Sequence, residues 1–160
     1  MTIHKNRMFR ERIKTQGSCC GELWARYQTV RFQPIQPLNR FKRGAIISLC
    51  VPAGVTQSTI RTKFTIRRHS ALLRLGGFQF QLLYGGNELM TYRELSAFVK
   101  CSINEAYEIS RICNQNAFYW FERGRLFLCS TDRKQVLKLP LKSTNYFINI
   151  KLPERNDAIL

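Results

Sequence analysis

The sequence predicts an α+β fold, and three observations predict it. Two helix-start signatures stand in tandem, Thr91 three residues before Glu94 and Ser102 three residues before Glu105. A β-hairpin signature follows at once: Phe118-Tyr119-Trp120-Phe121 and Leu126-Phe127-Leu128 flank Glu122-Arg123-Gly124-Arg125. Ahead of both lies a basic, partly extended N-terminal region, with 14 Lys/Arg against 2 acids in residues 1–70.

In each helix signature the hydroxyl can accept from a free N–H of the first turn, and the glutamate can reach back to the cap's own N–H. Both acids also sit where the helix macrodipole favours negative charge. Apolar residues follow at Leu95, Phe98 and Val99, then at Ala106, Ile109, Ile112 and Cys113, which is helical spacing. The starts lie eleven residues apart. The expectation is a two-turn helix, a short link and a second helix over about 103–114, a helix-turn-helix hairpin. β-Formers on both sides of a glycine-containing turn predict the strands of the hairpin that follows.

The run Glu94-Leu95-Ser96-Ala97-Phe98-Val99-Lys100-Cys101-Ser102, with Ala106 and Ile109 facing it, resembles the helix-turn-helix of bacterial transcriptional regulators. Ser96 takes the small-residue position where the helices cross, and Lys100 takes the turn position. Followed by a hairpin, it resembles a winged helix-turn-helix DNA-binding domain over residues 91–128. The resemblance implies a second helix entering the major groove. Asn104, Tyr107, Glu108 and Arg111 would then face DNA, Arg111 toward guanine or phosphate and Asn104 toward adenine or backbone. Arg123 and Arg125 would form a basic wing tip, and Lys100, Arg67 and Arg68 would add phosphate contacts. A plain surface hairpin with solvated arginines is the alternative for the wing.

Charge points to a polyanion. The net charge is +16 and the pI near 10.2, a field that attracts nucleic acid first and anionic membrane second. Hydrophobic residues at 44% and aromatic residues at 12% argue against a wholly disordered chain. The six cysteines include no C-x-x-C pair, and the two histidines, His4 and His69, do not complete a zinc spacing. Neither a metal nor a cofactor is expected. Free thiols at apolar positions suit a reducing, cytoplasmic setting, nucleoid-associated in a bacterium. No apolar run approaches the ~20 residues of a membrane span.

Along the chain, residues 1–17 read as a solvated basic arm, an arm lying on phosphates, or an import sequence. Residues 21–43 interleave Trp24, Tyr27, Phe32 and Phe41 with arginines. That pattern suits either base stacking or a small core with snorkelling arginines. Residues 44–55 read as a strand or buried turn. Residues 56–68 alternate and predict an exposed strand with a basic face. Ala71 to Leu75 suggests a helix turn ended by Gly76-Gly77. Phe78, Phe80 and Leu82 alternate like a strand, but a winged helix needs a first helix here, so a helix is assigned to about 77–84. Residues 136–141 and 146–152 predict two further strands around a turn at 142–145. The organisation expected is a basic region over 1–69, partly flexible with short strands, a winged helix-turn-helix domain over 70–152, and a polar tail over 153–160.

No phosphate loop, dinucleotide fingerprint, zinc-protease motif or nucleophile elbow occurs in the chain. No catalytic residue is therefore expected, and the protein is read as a non-enzyme. The leading expectation is a sequence-specific DNA-binding transcriptional regulator acting on duplex DNA, with no membrane partner. The alternatives are an RNA-binding or ribonucleoprotein component acting through the basic aromatic N-terminal region, and a protein-interaction module. A homodimer or a protein partner stays open.

Overall fold

Runs of β-branched and aromatic residues on both sides of tight turns build one antiparallel sheet, and helices close both of its faces. The computed structural model describes residues 21–38, 41–50 and 59–154. Among these, the order is α1 (Gly21–Tyr27), β1 (Arg31–Pro34), β2 (Arg43–Ser48), α2 (Thr59–Leu75), β3 (Phe80–Gly86), β4 (Arg93–Val99), α3 (Ile103–Ile112), β5 (Ala117–Glu122), β6 (Arg125–Ser130) and β7 (Val136–Lys138), with a short 3-10 helix at Ser143–Asn145. The seven strands run β1-β3-β4-β2-β5-β6-β7 across the sheet. The central strand β2 pairs with β4 through Ala45–Val99 and with β5 through Ala45–Trp120. β1 and β2, from the basic region, thus share one sheet with β3 to β7.

Side-chain alternation sorts the strands into two cores. Ala45, Ile47, Ala97, Val99, Phe118 and Trp120 pack under α2 and α3. Phe32, Ile46, Leu83, Phe98, Tyr119 and Leu126 form the opposite core, which Trp24 and Tyr27 of α1 and Phe147 partly cover. The chain after the 3-10 helix returns along β1: Phe32 N–H donates to Tyr146 O at 2.7 Å, and Ile148 N–H donates to Phe32 O at 2.8 Å. The Gln33 amide donates to Ile150 O at 2.7 Å and accepts from Ile150 N–H at 3.2 Å. That edge of the sheet is covered, which removes a template for strand addition.

The α+β class stands, but the winged helix-turn-helix does not. Residues 93–99 form β4, paired with β3 over its whole length, and not the first helix of a helix-turn-helix. A strand buried on both faces fills nearly every position, so Leu95, Phe98 and Val99 satisfy helical spacing while pointing to opposite sides of the sheet. The two groups of the first cap signature take other partners. Thr91 Oγ1 accepts from the Asn87 amide at 2.6 Å, and Glu94 accepts from Ser48 Oγ at 2.9 Å and Tyr92 OH at 2.5 Å. The helix assigned to 77–84 is β3, as the Phe80/Leu82 alternation indicated.

Residues 59–75 form α2, so the strand expected over 56–68 is a helix from Thr59 onward. Residues 146–152 contribute one isolated bridge, Phe32 to Phe147, and not a strand. The second cap signature and the hairpin formed as expected. Expectations for residues 1–20, 51–58 and 155–160 lie outside the described residues.

Candidate nucleic-acid interface

The second helix signature acts as the sequence implies. Ser102 Oγ accepts from Glu105 N–H at 3.3 Å, and Ser102 N–H donates to the Glu105 carboxylate at 2.7 Å. Asn114, at φ 55°, ends α3, with Gln115 N–H on Ser110 O at 2.9 Å and Asn114 N–H on Arg111 O at 3.0 Å. These two bonds satisfy carbonyls of the last turn. The buried face of α3 is Ala106, Tyr107, Ile109 and Ser110.

Tyr107, one of the four predicted base-facing residues, is therefore turned into the core. Its ring meets Phe118 edge-on at 4.9 Å. Asn104, Glu108 and Arg111 do face outward. Glu108 and Arg111 neutralise each other at 2.7 Å, and Asn104 Oδ1 accepts from Arg133 at 3.4 Å. Lys100 is exposed just after β4. Arg123 and Arg125 lie at the β5–β6 turn, where Arg123 and Gly124 have φ of 50° and 70°. Positive φ at both central residues gives the twist that a two-residue hairpin needs. Arg67 and Arg68 sit on α2, so the predicted residues are spread over α2, the end of β4, α3 and the β5–β6 turn.

α2 gathers the most positive charge among the described elements. It carries Arg61, Lys63, Arg67, Arg68 and Arg74 and no acid, within a stretch from residue 23 to 87 that contains no Asp or Glu. Its inner face is Thr62, Ile66, His69, Ser70 and Leu73, at spacings of three and four. His69 is 6% exposed, and its Nδ1–H donates to Leu49 O at 2.9 Å. Burial pushes its pKa below the ordinary value, so the ring packs as a neutral donor. The helix ends where Gly77, at φ 74°, lets Phe78 N–H reach Leu73 O at 3.1 Å and its own N–H reach Arg74 O at 3.0 Å.

The outer face of α2 combines cations with bare apolar side chains. Phe64 is 71% exposed and Ile60 80% exposed. Arg61, Arg67 and Arg68 stand three or four residues from Phe64, which places them beside it on the helix surface. Arg74, in the last turn, lies over the Phe80 ring at 5.9 Å. It borders a groove of about 660 Å³ lined also by Phe41, Phe78, Gln36 and Gln79. Residues 64 to 74 span about 15 Å along the helix axis.

Sequence reasoning picked Arg67 and Arg68 but missed Arg61, Lys63, Phe64 and Arg74. The signal was the spacing 62-66-69-70-73, three of whose members are polar and so escape a search for apolar periodicity.

Burial pushes the Cys101 and Cys113 thiols up to about 12 and the Cys129 thiol up to about 11, which keeps them protonated and unreactive. Among the described residues, no group of three His, Cys, Asp or Glu side chains is placed to hold a metal, and no helix is long and apolar enough to cross a membrane. Comparison with protein-family models, curated proteins and solved structures gives no match.

Proposed function

We propose that the protein binds single-stranded nucleic acid through the outer face of α2. The observation that carries the reading is Phe64, exposed among Arg61, Lys63, Arg67 and Arg68 on a helix without acids. Guanidinium and ammonium groups at that spacing follow a phosphate backbone, and an exposed aromatic ring offers a stacking surface to an unpaired base. The groove beside Arg74, with Phe78 and Phe80 in its wall, continues the same combination of charge and ring surface. A duplex-reading helix-turn-helix has no place in this reading, because its first helix is β4. Duplex DNA would also leave Phe64 without a stacking partner, since its bases are already stacked.

Fluorescence anisotropy with the full chain tests the proposal, using single-stranded RNA, single-stranded DNA and duplex DNA at several salt concentrations. Four phosphate contacts to a single strand give a slope of log K against log salt of about −3. Phe64→Ala should cost about 1–3 kcal/mol on single strands and little on duplex. R67E with R68E should weaken all three. If Phe64→Ala leaves single-strand affinity unchanged, or if anionic vesicles bind and single strands do not, the proposal is wrong.

A further inference from the structure

The face of the sheet opposite α2 holds a cavity of about 420 Å³ beneath α1, within the roughly 300–1,000 Å³ of small-molecule sites. The sequence makes room for it with glycine. Gly85 pairs with Phe32 on one side and Glu94 on the other, so a residue without a side chain interrupts the cross-strand row between a ring and a carboxylate. Beside it, a Cβ on Gly86 would run into the Tyr92 carbonyl oxygen, so the close turn there also excludes side chains.

The walls are apolar and the end is polar. Phe32, Ile46 and Tyr119 line the sheet side and Tyr27 the helix side. At the polar end stands the half-buried Glu94. One of its oxygens accepts from Ser48 Oγ at 2.9 Å and the other from Tyr92 OH at 2.5 Å. Burial and the adjoining carboxylate push the Tyr92 pKa well up, so the hydroxyl remains a donor. Each carboxylate oxygen can accept a second hydrogen bond.

In a chain of net charge +16, Glu94 forms no ion pair among the described residues. Arg26, at the rim, is engaged instead with Glu22 at 3.0 Å. Charge-assisted hydrogen bonds are stronger than neutral ones, so two hydroxyls leave much of this carboxylate's capacity unused.

We propose that the cavity is a binding site for a small organic cation, an apolar ring-sized body ending in an amine, amidine or guanidine. The body fills the space between α1 and the sheet, and its N–H groups take the remaining lone pairs of Glu94. The site lies on the face opposite α2, so it stands or falls independently of nucleic-acid binding.

Three probes of one shape test it on the full chain by calorimetry and amide NMR: benzamidine, neutral benzamide and anionic benzoate. Benzamidine should bind at least about tenfold tighter than the other two and move the amide signals of Gly85, Gly86 and Ser96. Glu94→Gln, nearly isosteric and neutral, should abolish the preference for benzamidine over benzamide. Equal binding of the three probes, or signals that move only outside this cavity, would overturn the proposal. Should Glu94→Gln fold poorly, the ranking of the three probes on the native chain decides alone.

Discussion

The guanidinium of Arg133 lies 4.1 Å from the centroid of the Tyr107 ring, and the same side chain donates to Asn104 Oδ1 at 3.4 Å. One loop residue thus covers a ring of α3 and engages a polar neighbour on its first turn. Tyr107 is 9% exposed, held between Arg133 outside and the Phe118 edge inside. A ring clamped in this way secures α3 to the sheet and cannot read a base.

Removing the clamp should cost stability and leave binding alone. A cation over an aromatic face contributes about 0.5–2 kcal/mol according to its desolvation. Arg133 is exposed, so Arg133→Ala should cost near the lower end of that range in urea unfolding. A double-mutant cycle with Tyr107→Leu isolates the pair, because each single change removes the same contact. Single-strand affinity should shift no more than the loss of one distant charge explains. A large loss of affinity on Arg133→Ala would place α3 in the interface.

The two cap signatures, alike in sequence, should respond differently to alanine. Ser102 closes a reciprocal capping box, so Ser102→Ala should cost about 1 kcal/mol. Thr91 accepts only one hydrogen bond from Asn87 on an exposed turn, so Thr91→Ala should stay within about 0.5 kcal/mol. Equal losses at both positions in denaturant titrations would contradict the strand assignment at 93–99.

That contrast marks what could be read before the fold was known. Elements with local chemistry were legible. The box at Ser102, the stop at Gly76-Gly77 and the hairpin around Arg123-Gly124 all depend on residues within a few positions of each other. β4 was not legible, because its identity depends on β2, far earlier in the chain, and on the cover on both faces, while its hairpin partner β3 was itself assigned to a helix. Phe98 and Val99 are buried and Leu95 half-buried in the strand, as an amphipathic helix would also have them, so their spacing could not choose between helix and strand. α2 hid for the opposite reason. Its threonines and isoleucines favour strands by propensity, and its buried stripe is half polar. For the candidate interface, the charge was legible from composition, but the helix that presents it was not.

His69 gives α2 a pH dependence whose sign follows from its environment. Burial, with a smaller contribution from the Arg68 charge, depresses its pKa below the ordinary 6.5, and the bond to Leu49 O offsets part of that shift. The unfolded chain therefore binds a proton more readily than the folded one, and stability rises with pH wherever that holds. Its contribution is complete above about pH 6.5, declines as pH falls toward the depressed native value, and changes no further below it. The slope cannot exceed about 1.4 kcal/mol per pH unit for one proton. Asp132, whose pKa lies below 3.8 because it accepts from Ser130 Oγ and Lys134 N–H, titrates in a separate, more acidic window. Urea titrations between about pH 5 and pH 8 should show this decline for the native chain. They should show it flattened for His69→Gln, which keeps a donor for Leu49 O but cannot be protonated. A native-chain stability that stays level across that range would mean that the imidazole is not held neutral between α2 and β2.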